Sequence, residues 1–175
     1  MADVARSRAA NIANFPDNTV GANSAQDQRD FIVSTFGCYG ELRVTAGVTA
    51  QAGIGVAPAK MTGWDTNGAA QDTTPDHTAD EITVDVAGTY LVLLSLSLSA
   101  LTATALYRLE VYKNGVATGQ AVEILSNAAP DRVVLASAGL LAIAAADVIS
   151  VYVNSDGAAR TMTPTEGQLV LKMVG

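Results

Sequence analysis

From Cys38 to the end, the pattern of apolar and polar positions has a period of two rather than of a helical turn. Glu81-Ile-Thr-Val-Asp-Val86 alternates strictly, Ala87-Gly88 supplies a turn, and Thr89 to Ser99 is the strongest strand signal. Val92, Leu94, Leu96 and Leu98 fall on one face of that run, with Ser95, Ser97 and Ser99 on the other. This is the pattern of a half-buried strand in an antiparallel sheet. Leu106 to Tyr112 and Val116 to Leu125 flank Lys113-Asn114-Gly115. Asn-Gly between apolar runs predicts a hairpin, because both central residues accept positive φ. Arg132 to Ile143, Asp147 to Asn154 and Gln168 to Val174 complete the later strands, and Ser155-Asp156-Gly157 is a further turn. Nearer the start, Glu41 to Thr45 and Lys60 to Trp64 read as short strands. They are separated by an Ala/Gly-rich stretch, Ala46 to Ala59, with little to pack, and Asp65 to Asp80 reads as a long polar loop. Gly139 to Asp147 is alanine-rich, yet its place in the series makes it a strand end and turn. Strands at this spacing with no helical pattern between them predict an all-β antiparallel sandwich or barrel over residues 38–175.

Residues 1–37 differ in kind. They are polar, with a turn cluster at Asp17-Asn18-Thr19 and Gly21. Ser24-Ala-Gln-Asp27 follows, a capping-box variant in which Ser24 accepts from first-turn N–H groups and Asp27 complements the helix dipole. Gly37 is a suitable C-cap, so one short helix is expected from about Ala25 to Phe36, with Phe31, Ile32 and Phe36 apolar. Arg6 and Arg8 precede it without periodicity. An arm with a helix outside a compact domain suggests attachment to something larger, and a frayed terminus is the simpler alternative.

Composition narrows the function classes. The 175 residues are 49% hydrophobic, 15% charged and 5% aromatic, which excludes a disordered chain and calls for an aliphatic core. Ten basic residues against seventeen acidic ones give a formal charge of -7, a poor match to phosphate, so no nucleic-acid partner is expected. The acidity belongs to the β region: in residues 1–43, Arg6, Arg8, Arg29 and Arg43 nearly offset Asp3, Asp17, Asp27, Asp30 and Glu41. One cysteine and one histidine exclude an internal disulfide, a cysteine-built zinc site and a histidine-rich metal centre within one chain. The N-terminus lacks the apolar core of a secretory signal, and the run Tyr90 to Leu98 is far short of the ~20 residues of a membrane helix. A soluble, cytoplasm-made chain without a membrane partner is therefore expected.

Two segments carry a family resemblance. Asp17-Asn-Thr-Val-Gly-Ala-Asn-Ser-Ala-Gln-Asp-Gln-Arg-Asp30 resembles the N-terminal segment of structural proteins of tailed bacteriophages, among them head-decoration, head-fibre and tail-fibre-like proteins. Asp85-Val-Ala-Gly-Thr-Tyr-Leu-Val-Leu-Leu94, Tyr107-Arg-Leu-Glu-Val-Tyr-Lys-Asn-Gly115 and Asp147-Val-Ile-Ser-Val-Tyr-Val153, in that order, resemble the trimeric jelly rolls of the tumour-necrosis-factor and complement-head type. The resemblance implies a jelly-roll sandwich, a homotrimer and a place in a virion. It implies a capsid decoration or head-fibre protein, on the capsid exterior and held by its arm to the major capsid protein or another virion protein. A tail-fibre or receptor-binding tip protein is the alternative. Phe31, Ile32, Phe36, Arg6 and Arg8 are the expected anchoring residues. On the last strand, Leu169, Leu171 and Met173 share one face and Val170 and Val174 the other. One face should meet the chain's own core and the other a neighbouring subunit, and Leu169, Leu171 and Met173 are assigned to the trimer contact.

Candidate chemistry is sparse, and neither an enzyme nor a cofactor is expected. Asp76-His77 could orient a general base, although a solvated loop histidine is the simpler reading. No Gly-x-Ser-x-Gly elbow is present, and the serines of 95–99 follow strand alternation. Asp65-Thr-Asn-Gly68 resembles the start of a calcium loop, but with glycine at the fourth position and no glutamate at the twelfth. Asp72, Asp76, Asp80 and Glu81 could gather round a cation or form a solvated acidic loop. Cys38 has no basic neighbour in sequence and reads as a buried hydrophobe. Trp64 and Tyr90 could stack on a sugar or fill the core.

Overall fold

A computed structural model describes residues 37–45, 50–99, 101, 104–126, 132–157 and 159–174. The expected helix and the anchoring residues Arg6, Arg8, Phe31, Ile32 and Phe36 lie outside these. The described chain forms twelve strands: β1 (Tyr39–Val44), β2 (Gln51–Ile54), β3 (Ala59–Lys60), β4 (Thr66–Asn67), β5 (Thr73–Asp76), β6 (Glu81–Val84), β7 (Gly88–Ser99), β8 (Ala105–Lys113), β9 (Val116–Ser126), β10 (Val133–Ile143), β11 (Val148–Ser155) and β12 (Arg160–Met173). None of the described segments is helical.

The strands make two antiparallel six-stranded sheets. The first has the order β10-β7-β12-β1-β4, with β2 also on β12; the second has the order β5-β6-β11-β8-β9, with β3 also on β11. The alternation read from the sequence sets which side of each strand faces the other sheet. Val92, Leu94, Leu96 and Leu98 of β7 meet Leu109 and Val111 of β8 and Ile149, Val151 and Val153 of β11 in one aliphatic core. The fold is the expected jelly-roll sandwich.

Several local expectations change. Asp65 to Asp80 is not one loop. Hydrogen bonds from Asp65 N to the Arg43 carbonyl (3.0 Å) and from Gly68 N to that of Glu41 (2.8 Å) set β4 on β1. β5 pairs along its whole length with β6, Thr73 opposite Val84 through Asp76 opposite Glu81. These pieces are too short and polar to carry an alternation signal, and backbone pairing to apolar neighbours makes them strands. The Ala/Gly stretch likewise contains β2, whose Ile54 is fully buried. Of the expected strand Lys60 to Trp64 only Lys60 is paired, in β3, and Met61 to Trp64 is a crossing: Met61 N bonds to Val151 O in the second sheet, Asp65 N bonds to the first, and Met61 and Trp64 are buried between. β12 begins at Arg160, eight residues before the expected start, because the register shift between Pro164 and Glu166 absorbs the proline within a continuing ladder. The Lys113-Asn114-Gly115 turn is as expected, with φ of 52° at Asn114 and 75° at Gly115.

Gly37 joins residues 1–36 to the sandwich beside the end of β12, where Met173 N donates to Cys38 O (2.8 Å) and Val174 N to Thr89 O (2.8 Å). Gly37 therefore lies at the β1/β12 end of the first sheet.

Candidate interaction surface

The residues singled out for chemistry are occupied by structural tasks. Asp76 does not engage the His77 ring. Its Oδ1 accepts from the Thr78 hydroxyl (2.6 Å) and from the N–H groups of Thr78 and Ala79, which holds its carboxyl below the ordinary range. His77 instead turns to Asn67, with backbone N–H to Oδ1 at 2.7 Å and Nδ1 at 3.1 Å from the same oxygen. Asp65 binds the backbone N–H and hydroxyl of Thr45. Asp80 accepts from Gly63 and Trp64 N–H, and burial raises its pKa. Glu81 pairs with Lys60 at 2.6 Å. The four acids Asp72, Asp76, Asp80 and Glu81 thus face separate partners, and no metal-holding group of His, Cys, Asp and Glu occurs among the described residues.

Cys38 is 1% exposed, donates to Asp72 Oδ2 at 3.9 Å, and has its thiol pushed up chiefly by burial, the opposite of nucleophile activation. Trp64 and Tyr90 are both core residues, and Tyr90 donates to Val86 O at 2.7 Å; the sugar-stacking alternative is excluded by their burial.

Leu169, Leu171 and Met173 also lie inside. They are 0%, 0% and 9% exposed, against the chain's own core, which corrects their assignment to a subunit contact. Strand alternation turns the other face outward, and Val170 with Val174 belong to it. The strand register shows what surrounds them. Leu93 stands between Ala138 of β10 and Val170 of β12; Leu91 stands between Leu140 and Lys172, with Tyr39 of β1 beyond. Toward the other end, Ser95 lies between Ala136 and Gln168. Directly opposed residues in an antiparallel pair share a face. The outer face of the first sheet is therefore an apolar surface of Leu91, Leu93, Leu140, Val170 and small alanines. Leu140 is 68% exposed and Val174 52%. A shallow depression lined by Leu93, Ser95, Ala136, Ala138 and Gln168 lies at its centre. The sequence showed the two faces of the last strand but not which was outer, and Leu91 and Leu93 were hidden because the apolar run of β7 serves both sides.

The outer face of the second sheet is different. Arg108 bridges Glu110 (3.0 Å) and Glu123 (3.2 Å), Lys60 pairs with Glu81, and Tyr112 stacks on Tyr152 with ring centroids 4.0 Å apart. Its polar groups satisfy one another.

Neither a protein-family model nor a curated protein matches the chain. Among solved structures, the chain is similar to Eiger TNF from S. frugiperda, at 14% identity and a TM-score of 0.56, covering 79% of this chain and 93% of that one. It is also aligned with murine APRIL at pH 5.0, at 16% identity and a TM-score of 0.48, covering 79% and 99%. The first likeness shows that the fold is a tumour-necrosis-factor-like jelly roll.

Proposed function

We propose that the chain is a bacteriophage virion structural protein: a homotrimeric jelly roll that decorates the capsid or forms a head fibre, attached through residues 1–37. The observation that carries the self-association is the apolar outer face of the first sheet. Leu91, Leu93, Leu140 and Val170 cluster there; Leu140 is exposed and the other three are half-buried, so covering those three contributes less per residue than the roughly 1.5–3 kcal/mol of fully burying an exposed side chain. A second copy is the occupant this surface fits, as the jelly-roll resemblance of 85–94, 107–115 and 147–153 implies. The virion role rests on the resemblance of residues 17–30 to phage structural proteins. It is supported by the position of Gly37, where residues 1–36 join the domain at one end of the first sheet. Attachment would come from Phe31, Ile32 and Phe36, and three arms per trimer would slow release even where each binds weakly.

Quantitative mass spectrometry of purified particles from the phage that encodes the chain tests this. Many copies per particle, in a multiple of three, are expected. A few copies confined to the tail would assign it to a tail fibre instead, and absence from particles would overturn the reading.

A further inference from the structure

Every described lysine and arginine but one has a carboxylate within ion-pair distance. Arg43 sits on Glu41, Lys60 on Glu81, Arg108 on Glu110 and Glu123, Lys113 on Asp147, Arg132 on Glu166, and Arg160 on Asp156. Lys172 has none. It is exposed on the outward side of β12, between Leu91 and Tyr39 in register and two residues from both Val170 and Val174.

The carboxylates leave a single counterpart. Those not in ion pairs are held by local donors: Asp65 by Thr45, Asp72 by Cys38, Asp76 by Thr78 and Ala79, and Asp80 by Gly63 and Trp64. Asp85, exposed in the turn between β6 and β7, is the described carboxylate for which neither a cation nor a hydrogen-bond donor is present. Asp85 and Lys172 lie toward the same end of the sandwich, where Val174 N bonds to Thr89 O and Asp85 N to Asp72 O. They belong to different surfaces, however: Lys172 to the apolar face, Asp85 to the turn that passes from one sheet to the other.

An open apolar face lets an ammonium stay in water. Once a second copy covers it, that water is removed, and an ammonium without a counter-charge opposes the association that its apolar neighbours favour. We propose that Lys172 of one copy takes Asp85 of the next, so that the pair sets the register of a head-to-tail contact. This rests on the self-association proposed above and adds to it the polarity of the contact. A contact joining two different surfaces is the kind that closes into a ring, whereas a two-fold contact joins one surface to itself.

The test is a charge swap in the full-length protein, read by sedimentation equilibrium. Lys172→Asp and Asp85→Lys, each alone, place like charges together and should weaken association by at least about tenfold. The double variant should restore it to near the wild-type constant, and the wild-type constant should weaken with added salt. If the wild type is a single chain at micromolar concentration, the self-association reading fails, and this one with it. If the wild type assembles but the single variants match it, or the double variant does not recover, the pairing is overturned while self-association stands. Recovery in the thermal midpoint alone, with association unchanged, would make the pair internal to one chain and would also overturn the proposal.

Discussion

On the second sheet, Arg108 lies between two carboxylates, Lys60 is bound to Glu81, and two tyrosines lie against each other. On the first sheet, Leu91, Leu93, Leu140 and Val170 stand outward with no layer over them among the described residues, and the lysine among them has no ion-pair partner there. Both sheets belong to one sandwich and share one core. The difference lies in how each outer face is made: that of the second sheet carries ion pairs and a stacked tyrosine pair beside an exposed Leu125, whereas that of the first gathers Leu91, Leu93, Leu140 and Val170. An apolar sheet face left in water promotes association, and charged residues are the usual means of blunting it. Here, apart from Lys172, the polar residues Glu41, Arg43, Glu166 and Gln168 lie toward β1 and the far end of β12.

The sharpest way to break the contrast is to charge the apolar face. Leu93→Asp with Val170→Asp should abolish association, with the fold retained by circular dichroism, because both side chains point away from the core. Retained association would move the contact elsewhere. Next comes the comparison of neighbours on β12. Leu171→Ala should cost about 2–5 kcal/mol in urea unfolding, and Val170→Ala in the dissociated state less than about 1 kcal/mol. Equal costs would mean that the two faces are not distinct.

A smaller effect concerns pH. Asp147 lies below the ordinary carboxylate range because Ala144 N–H and the Asn114 side chain donate to it, and Asp76 does so through Thr78 and Ala79. For a depressed carboxylate, the stabilisation is present above the unfolded value and lost as pH falls through the folded one. Thermal midpoints should therefore drop below about pH 4, and Asp147→Asn should lower the midpoint at neutral pH while flattening that acid-side loss. Asp80, raised by burial, acts in the opposite sense and offsets part of it. The smallest change is expected on the self-satisfied face. Glu123→Gln removes one arm of an exposed pair and should cost only about 0.2–1 kcal/mol by chemical denaturation, without altering association.

The long alternating strands were legible from residue order alone. Period two in 89–99, Asn-Gly at 114–115 and the turns at 87–88 and 155–157 placed β7 to β11 closely. β4, β5 and most of β2 were not legible, since two to four polar or small residues carry no periodicity and become strands only by pairing with β1, β6 and β12. The site was half legible. The last strand displayed two apolar faces, and nothing local distinguishes Leu169 and Leu171 from Val170, because only the neighbouring strands decide which side meets the opposite sheet. Lys172 carried no signal for a similar reason: its isolation emerges only when every other described cation has found a carboxylate across the fold.

Mass in solution tests the central claim most directly. Light scattering on the purified protein at micromolar concentration should give three times the 17.9 kDa of one chain. A mass of a single chain would contradict the account, because the apolar outer face of the first sheet would then not be covered by a second copy.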